Sequence, residues 1–468
     1  MKPVATYGSG LLVLAGLLAL ASVNTITMIL AVVLAVGLTM LVALGTERLG
    51  TLAMIAAMVF APLNNVRPAE AVNFVTFSDL FFAAGFGLLV PTMLMRKSRV
   101  PTGFAVAGSL ILVLTVIASL LNEAPLMSLN YGFRLVAAVV VLPFLFLWWR
   151  PSIKLIDGLA WSFVAGQVIS LVGGMVVGAN PNGRYMGLTT HTNFFALGAL
   201  MSFAMLIHLY SRYETTGMRL LVWAAGGAVI ASAILSGSRA SLLGMVMLAV
   251  LYPLVERSVL SAYLVVSAAI LGLASLNWLI SIAGESSALA RLKGDSTASY
   301  SDQARERAFT TGVQEFLAKP LQGNGFDITA LDAHNVYLQV AVGIGIFGAV
   351  AFVMVLWNLV VPLFRPGPLR RLGYVPLAYA AVAVITNSLW DRFVWAGLAL
   401  AALAAVYSDD DVPADPSPVR GDPSPVLGDP SPVSGAPSSR RSATNLTAWE
   451  QSFTAGKHRA PTHTPEIM

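Results

Sequence analysis

The 468-residue chain contains no cysteine and very little charge: Asp, Glu, Lys and Arg together make up 11% of it. The missing thiols exclude disulfide staples, thiolate nucleophiles, iron–sulfur clusters and Cys-based zinc sites. The missing charge excludes an ordinary water-soluble protein, whose surface needs roughly 25% charged residues to stay solvated. In their place stand 57% hydrophobic residues and a mean hydropathy of +0.76. Apolar runs of about 18 residues recur along the chain, so lipid is the expected solvent.

The runs are centred on residues 8–23, 26–45, 49–63, 77–95, 103–121, 131–149, 157–178, 193–210, 219–236, 240–255, 259–283, 336–364, 374–390 and 392–407. In hydrocarbon a backbone must satisfy its own polar groups, which leaves helices or closed barrels. The runs are too long for the alternating segments of barrel strands, so the expected fold is all-α and polytopic, with 12–14 transmembrane helices. The first run also has the form of a signal peptide, though a first span paired with the second fits better.

Charge placement gives an orientation. Residues 1–407 hold 23 Lys and Arg against 15 Asp and Glu, whereas residues 408–468 hold 5 against 8. Arg48, Arg96, Lys97, Arg99, Arg150, Lys154, Arg212, Arg219, Arg257, Arg365, Arg370 and Arg371 fall in alternate loops, which the positive-inside rule assigns to the cytoplasm. The short loops on the other side are nearly free of Lys and Arg, with single arginines as exceptions: Arg67, Arg134, Arg184, Arg239 and Arg392. A multi-pass protein of the cell (inner or plasma) membrane follows, with both termini cytoplasmic.

Residues 1–407 form the expected membrane domain, and 408–468 a disordered tail. In the tail, Asp-Pro-Ser-Pro-Val recurs at 415–419, 422–426 and 429–433, a composition that cannot build a core.

The outer loop 284–335 is the longest. Residues Ser299 to Lys319 read as an amphipathic helix that Ser301 can cap, with Ala304, Ala308, Val313, Phe316 and Leu317 near one face and Pro320 ending it. Gly323-Asn324-Gly325 reads as a tight turn. His191 and His334 lie at outer helix lips, where imidazole can serve as a base near neutral pH; for each, a hydrogen-bonded interfacial histidine is the plainer alternative. His208 reads as structural. Arg184 and Arg239, flanked by Gly and Ser, are either snorkelling anchors or seats for an anion, since the planar guanidinium matches phosphate. Asp391-Arg392 reads as a local ion pair. No His-x-x-x-His pair or carboxylate cluster suggests a metal.

Three segments carry a family resemblance: Gly183-Arg184-Tyr-Met-Gly187 with Thr192-Asn193; Ser236-Gly-Ser-Arg239-Ala-Ser241; and Lys319-Pro-Leu-Gln-Gly-Asn-Gly325, His334-Asn335-Val-Tyr-Leu338 and Gly343-Ile-Gly345-Ile-Phe-Gly348. In this order, the chain over roughly residues 180–350 resembles the O-antigen ligase and O-antigen polymerase superfamily of bacterial envelope glycosyltransferases. The resemblance implies cell-envelope polysaccharide synthesis at the outer face. A glycan would pass from a polyprenyl pyrophosphate donor to a glycan, lipid or protein hydroxyl, with inversion, no cofactor and no nucleic acid.

By the same match, Arg184 and Arg239 would bind the pyrophosphate and His334 would be the catalytic base, with Arg305, Arg307, His191 and Asn335 assisting. The extra spans and the repeat tail depart from simpler ligases and leave ligase or polymerase open. A lipid-linked glycan flippase or other transporter is the alternative, although the span centres hold almost no ionisable residues. A multispan peptidoglycan polymerase would need an outer carboxylate, such as Asp332 or Asp391.

Overall fold

The computed structural model describes residues 15, 16, 18–68, 75–294, 296–326 and 333–407. The repeat tail 408–468, most of the first apolar run and Asp332 lie outside the described residues. Within them the protein is helical, without strands. The helices are α1 Thr25–Phe60, α2 Phe77–Leu94, α3 Thr102–Leu120, α4 Pro125–Trp149, α5 Ile153–Val177, α6 Thr192–Arg212, α7 Thr216–Leu235 and α8 Arg239–Glu256. There follow α9 Val259–Ala274, α10 Leu276–Ala283, α11 Ala288–Lys293, α12 Ser296–Ala318, α13 Val336–Val360, α14 Tyr374–Val382 and α15 Arg392–Ala402.

Nine described helices are long and apolar enough to cross a membrane, or ten if the α9–α10 pair, bent by 67°, is one span. The expected twelve to fourteen exceed this for identifiable reasons. The runs 26–45 and 49–63 fuse into α1 across a kink at Gly45 (φ 77°). The runs 374–390 and 392–407 form only α14 and α15, each too short to span. The first run is mostly undescribed.

Helix α6 is central: 72% of its spanning window is buried within the protein, against 22% for α7. The lipid-facing helices keep large apolar side chains outward, Trp223, Val259 and Ile270 among them. At their C-terminal ends, α4 and α8 stop in left-handed caps at Arg150 (φ 47°) and Arg257 (φ 51°). His208 is buried in α6, its Nε2 2.9 Å from Asp157 Oδ1 on α5, and Arg212 Nε lies 3.1 Å from the other oxygen. The pair of α5 and α6 is thus pinned by the Asp157–Arg212 ion pair and the hydrogen bond between His208 and Asp157, which fits the structural reading of His208.

Helix α13 breaks at Ile344 and Gly345 (φ 73°), well inside its apolar length. A broken helix in lipid leaves costly orphan groups unless protein supplies partners. Here the segment after α12 supplies them. Asn324 N donates to Val342 O at 2.7 Å, Gly325 N to Gly343 O at 2.9 Å, and Ile346 N to Pro320 O at 2.9 Å. What reads in sequence as a tight turn is a plug inserted against a broken span. A Cβ on Gly345 would stand 2.1 Å from Leu321 O, and one on Gly323 2.4 Å from Gly343 O, so glycine is required on both sides of the approach.

Candidate functional site

The site forms where α5 and α7 end and α6 and α8 begin, under the loop helix α12. Arg184 lies in the α5–α6 connection, where Asn180 Oδ1 accepts the N–H groups of Asn182 and Arg184 at 3.1 and 3.0 Å and folds the chain into a turn. Tyr185 N then donates to Leu235 O at 3.0 Å, tying this turn to the end of α7. The Arg184 guanidinium is aimed by two acceptors: Nε donates to Ser236 O at 2.7 Å and Nη2 to Asn193 Oδ1 at 3.0 Å. Gly237 (φ 69°) permits that approach, because a Cβ there would meet Arg184 Nε at 2.7 Å. The Gly183-Arg184 and Ser236-Gly-Ser-Arg239 segments, some fifty residues apart in sequence, are therefore one structural unit.

Arg239 opens α8 and forms an ion pair with Asp302 on α12. Arg305, one turn further along α12, lies 3.8 Å from the same carboxylate. Its face of α12 is turned inward. Ala308 is half-buried and Gly312 is buried one and two turns on, the latter against Leu338 and Ala333. The expected face differs from this: Ala304 and Leu317 are exposed, and the inward stripe runs through Arg305, Ala308, Gly312 and Phe316. Helix α12 also starts at Ser296, which places Ser301 inside it and not at its cap. Arg307, two residues from Arg305 and hence on the far side of the helix, lines the outward surface with Gln303, Glu306 and Thr310. The structure does not bring it to the cluster.

His191 caps α6, its Nδ1 accepting Asn193 N–H at 3.1 Å. That bond needs an unprotonated Nδ1. Consistently, burial holds His191 below the usual imidazole range, and the positive field of Arg184, His334 and Arg305 adds to the effect. The same field places His334 beside this group. His334 has a left-handed backbone (φ 49°), uncommon for a non-glycine residue and of the kind that collects at working sites. Asn335 caps α13, its side chain accepting Leu338 N–H at 3.0 Å, so its local task is structural.

Crowding of like charge is the electrostatic signature of the cluster. Arg184 is pushed down to about 10, first by burial and then by Arg291 and Arg305. Arg305 is lowered by burial and by Arg239, with Asp302 opposing. Arg184 and Arg305 nonetheless remain cationic at neutral pH. Among the described residues, the guanidinium groups of Arg184, Arg239, Arg291 and Arg305 gather around one carboxylate, Asp302, and are poised to gain from an anion.

Sequence reasoning missed two members. Arg291 on α11 is nearly buried and donates from Nη1 to Gly237 O at 2.7 Å. Asp302 supplies the only carboxylate paired with Arg239 among the described residues. The available signal was the density of charge in loop 284–335, in a chain otherwise so poor in it. Among the described residues no three His, Asp or Glu side chains converge to hold a metal ion. No family model matches the chain, and no curated protein is similar to it.

Proposed function

We propose that the protein is a membrane glycosyltransferase that moves a glycan from a polyprenyl pyrophosphate carrier to a hydroxyl acceptor at the outer membrane face, as a ligase or a polymerase. One observation carries the reading. Arg184 and Arg239, chosen from separate motifs, lie with Arg305, Arg291 and His334 in one cationic cluster at the outer helix ends.

In this reaction the acceptor oxygen attacks the anomeric carbon from the face opposite the carrier, and the bond from that carbon to the pyrophosphate oxygen breaks. The electron pair of that bond stays on the leaving pyrophosphate. Charge therefore grows where Arg184, Arg239 and Arg305 are fixed, and cations already in place stabilise it without reorganising. The hydroxyl proton passes to the His334 imidazole, which is the base. His191, with Nδ1 committed to the helix cap, orients Asn193 and through it Arg184. Arg307 takes no part.

The test is transfer by the purified full chain from a lipid-pyrophosphate-linked oligosaccharide to an acceptor. Arg239→Ala, Arg305→Ala and His334→Ala should each lower the rate by about 100-fold, the usual cost of removing one charge-stabilising or proton-transferring group. Arg307→Ala should stay near wild type. Undiminished transfer in the first three variants, or movement of the donor across vesicles without any new glycosidic bond, would overturn the proposal.

A further inference from the structure

A second group of outer arginines stands apart from this cluster. Arg67 follows α1, Arg134 lies on α4, and Arg392 opens α15; together they line a cavity of about 310 Å³. Asn64, Thr190 and Asp391 add polar atoms, and Trp390 forms part of an apolar wall.

Its charges are incompletely matched. Arg392 Nε lies 2.7 Å from Asp79 Oδ1 on α2. Arg134 stacks its guanidinium 5.1 Å from the centre of the Tyr131 ring. Arg67 Nε is buried with no hydrogen-bond partner among the described residues. A buried donor of this kind costs free energy unless a ligand completes it, and a charged one costs more. Among the described residues, the three guanidinium groups meet two carboxylates, Asp391 in the lining and Asp79 paired with Arg392, so a positive surplus remains there. Just beyond Arg134, α4 widens into a π-helical segment at Ala137–Val141, and Ala137 lines the cavity. Such bulges often mark functional sites.

The cavity adjoins the first cluster but does not merge with it. Thr190 lines the cavity, while the next residue, His191, lies in the field of Arg184 and Arg305. The wall between them is held by Thr190 N donating to Asn64 Oδ1 at 2.9 Å and Asn65 N donating to Leu188 O at 3.1 Å.

We propose that this cavity is a second oxyanion site, which takes a phosphoryl group from a molecule at the outer surface. Phosphate suits it better than carboxylate: forked donors from three arginines exceed what two carboxylate oxygens accept, and a phosphoryl group offers three or more. The volume lies at the lower end of ligand pockets and fits a headgroup or a single sugar phosphate. The site stands on its own residues and does not depend on the transfer reaction.

The absence of cysteine makes a local readout available. Phe133 is exposed and lines the cavity. In the full chain carrying Phe133→Cys, purified in detergent, alkylation of the single thiol reports occupancy of this cavity alone. Glucose 6-phosphate and phosphatidylglycerol are the two probes, with glucose and diacylglycerol as uncharged controls. At least one phosphorylated probe should slow alkylation several-fold and its control should not. Protection by glucose 6-phosphate assigns a water-borne ligand; protection by phosphatidylglycerol alone assigns a lipid headgroup. Arg67→Gln and Arg134→Gln should each weaken protection about tenfold, the effect of losing one charged hydrogen-bonding partner. Arg67→Lys, which keeps the charge and loses the fork, should fall between and guards against misfolding of the Gln variant. No protection by either phosphorylated probe, or protection unchanged in Arg67→Gln and Arg134→Gln, overturns the proposal.

Discussion

Asp302 pairs with Arg239 and sits near Arg305, so under the proposed function its carboxylate stands where a donor phosphoryl oxygen would bind. An anion entering the cluster must displace it. Asp302→Asn should therefore tighten binding of inorganic pyrophosphate several-fold, read by calorimetry at low salt, and the gain should shrink as salt screens the cluster. Asp391 is the other informative carboxylate. Burial pushes it up to about 7, against an ordinary value of 3.8, and Arg392 only partly opposes this. Between these values the folded protein holds a proton that the unfolded chain has released, so stability falls as pH rises through that window. Thermal unfolding in detergent at pH 5 and pH 8 should show a larger loss for wild type than for Asp391→Asn, which has no proton to give up. Both carboxylates are plain in the sequence. The partner of Asp302, 63 residues away, and the burial of Asp391 are not.

At the scale of elements, the loop helix brings Asp302 and Arg305 to Arg239, and the plug after it pairs the backbone of the broken span. An amphipathic helix near residues 299–319 is legible from composition and from Pro320 as its stop. Which side faces inward is not, because α12 packs on the lip of α13 through Gly312, a residue no apolar-face count selects. Helical geometry then separates two arginines that sequence treats alike, Arg305 inward and Arg307 outward. The plug is the larger difference. Gly323, Gly325, Gly343 and Gly345 are visible as motif glycines, but their joint purpose appears only when the loop lies against the broken span. Gly345→Ala combines a backbone strained for any side chain with a contact of 2.1 Å to Leu321 O. It should destabilise the protein by about 2 kcal/mol or more in thermal unfolding. Gly217→Ala, where nothing lies within 4 Å, is the matched control and should be near neutral.

At the scale of the whole molecule, membrane orientation links both sites to one compartment. Single cysteines in this Cys-free chain map it directly. Gln303→Cys on the outward face of α12 should react with a membrane-impermeant maleimide added to intact cells, whereas Lys97→Cys should react only after the membrane is opened. Labelling in the reverse pattern places both arginine groups on the cytoplasmic side and ends the outer-face mechanism.

Hydropathy and the alternation of basic loops determined by themselves that the chain is a polytopic helical membrane protein, because lipid solvation acts on each segment separately. They also located the arginines, since a cation is conspicuous where so few are tolerated. Tertiary structure alone decided which arginines meet. Arg184, Arg239, Arg291 and Arg305 come from four segments, and Arg67, Arg134 and Arg392 from three, gathered by helix packing across separations that no local pattern encodes. It also decided that the span count falls where helices break, and that a glycine-rich turn repairs one of those breaks. Scarcity of charge is a property of each residue's solvent; convergence of charge is a property of the packed helices.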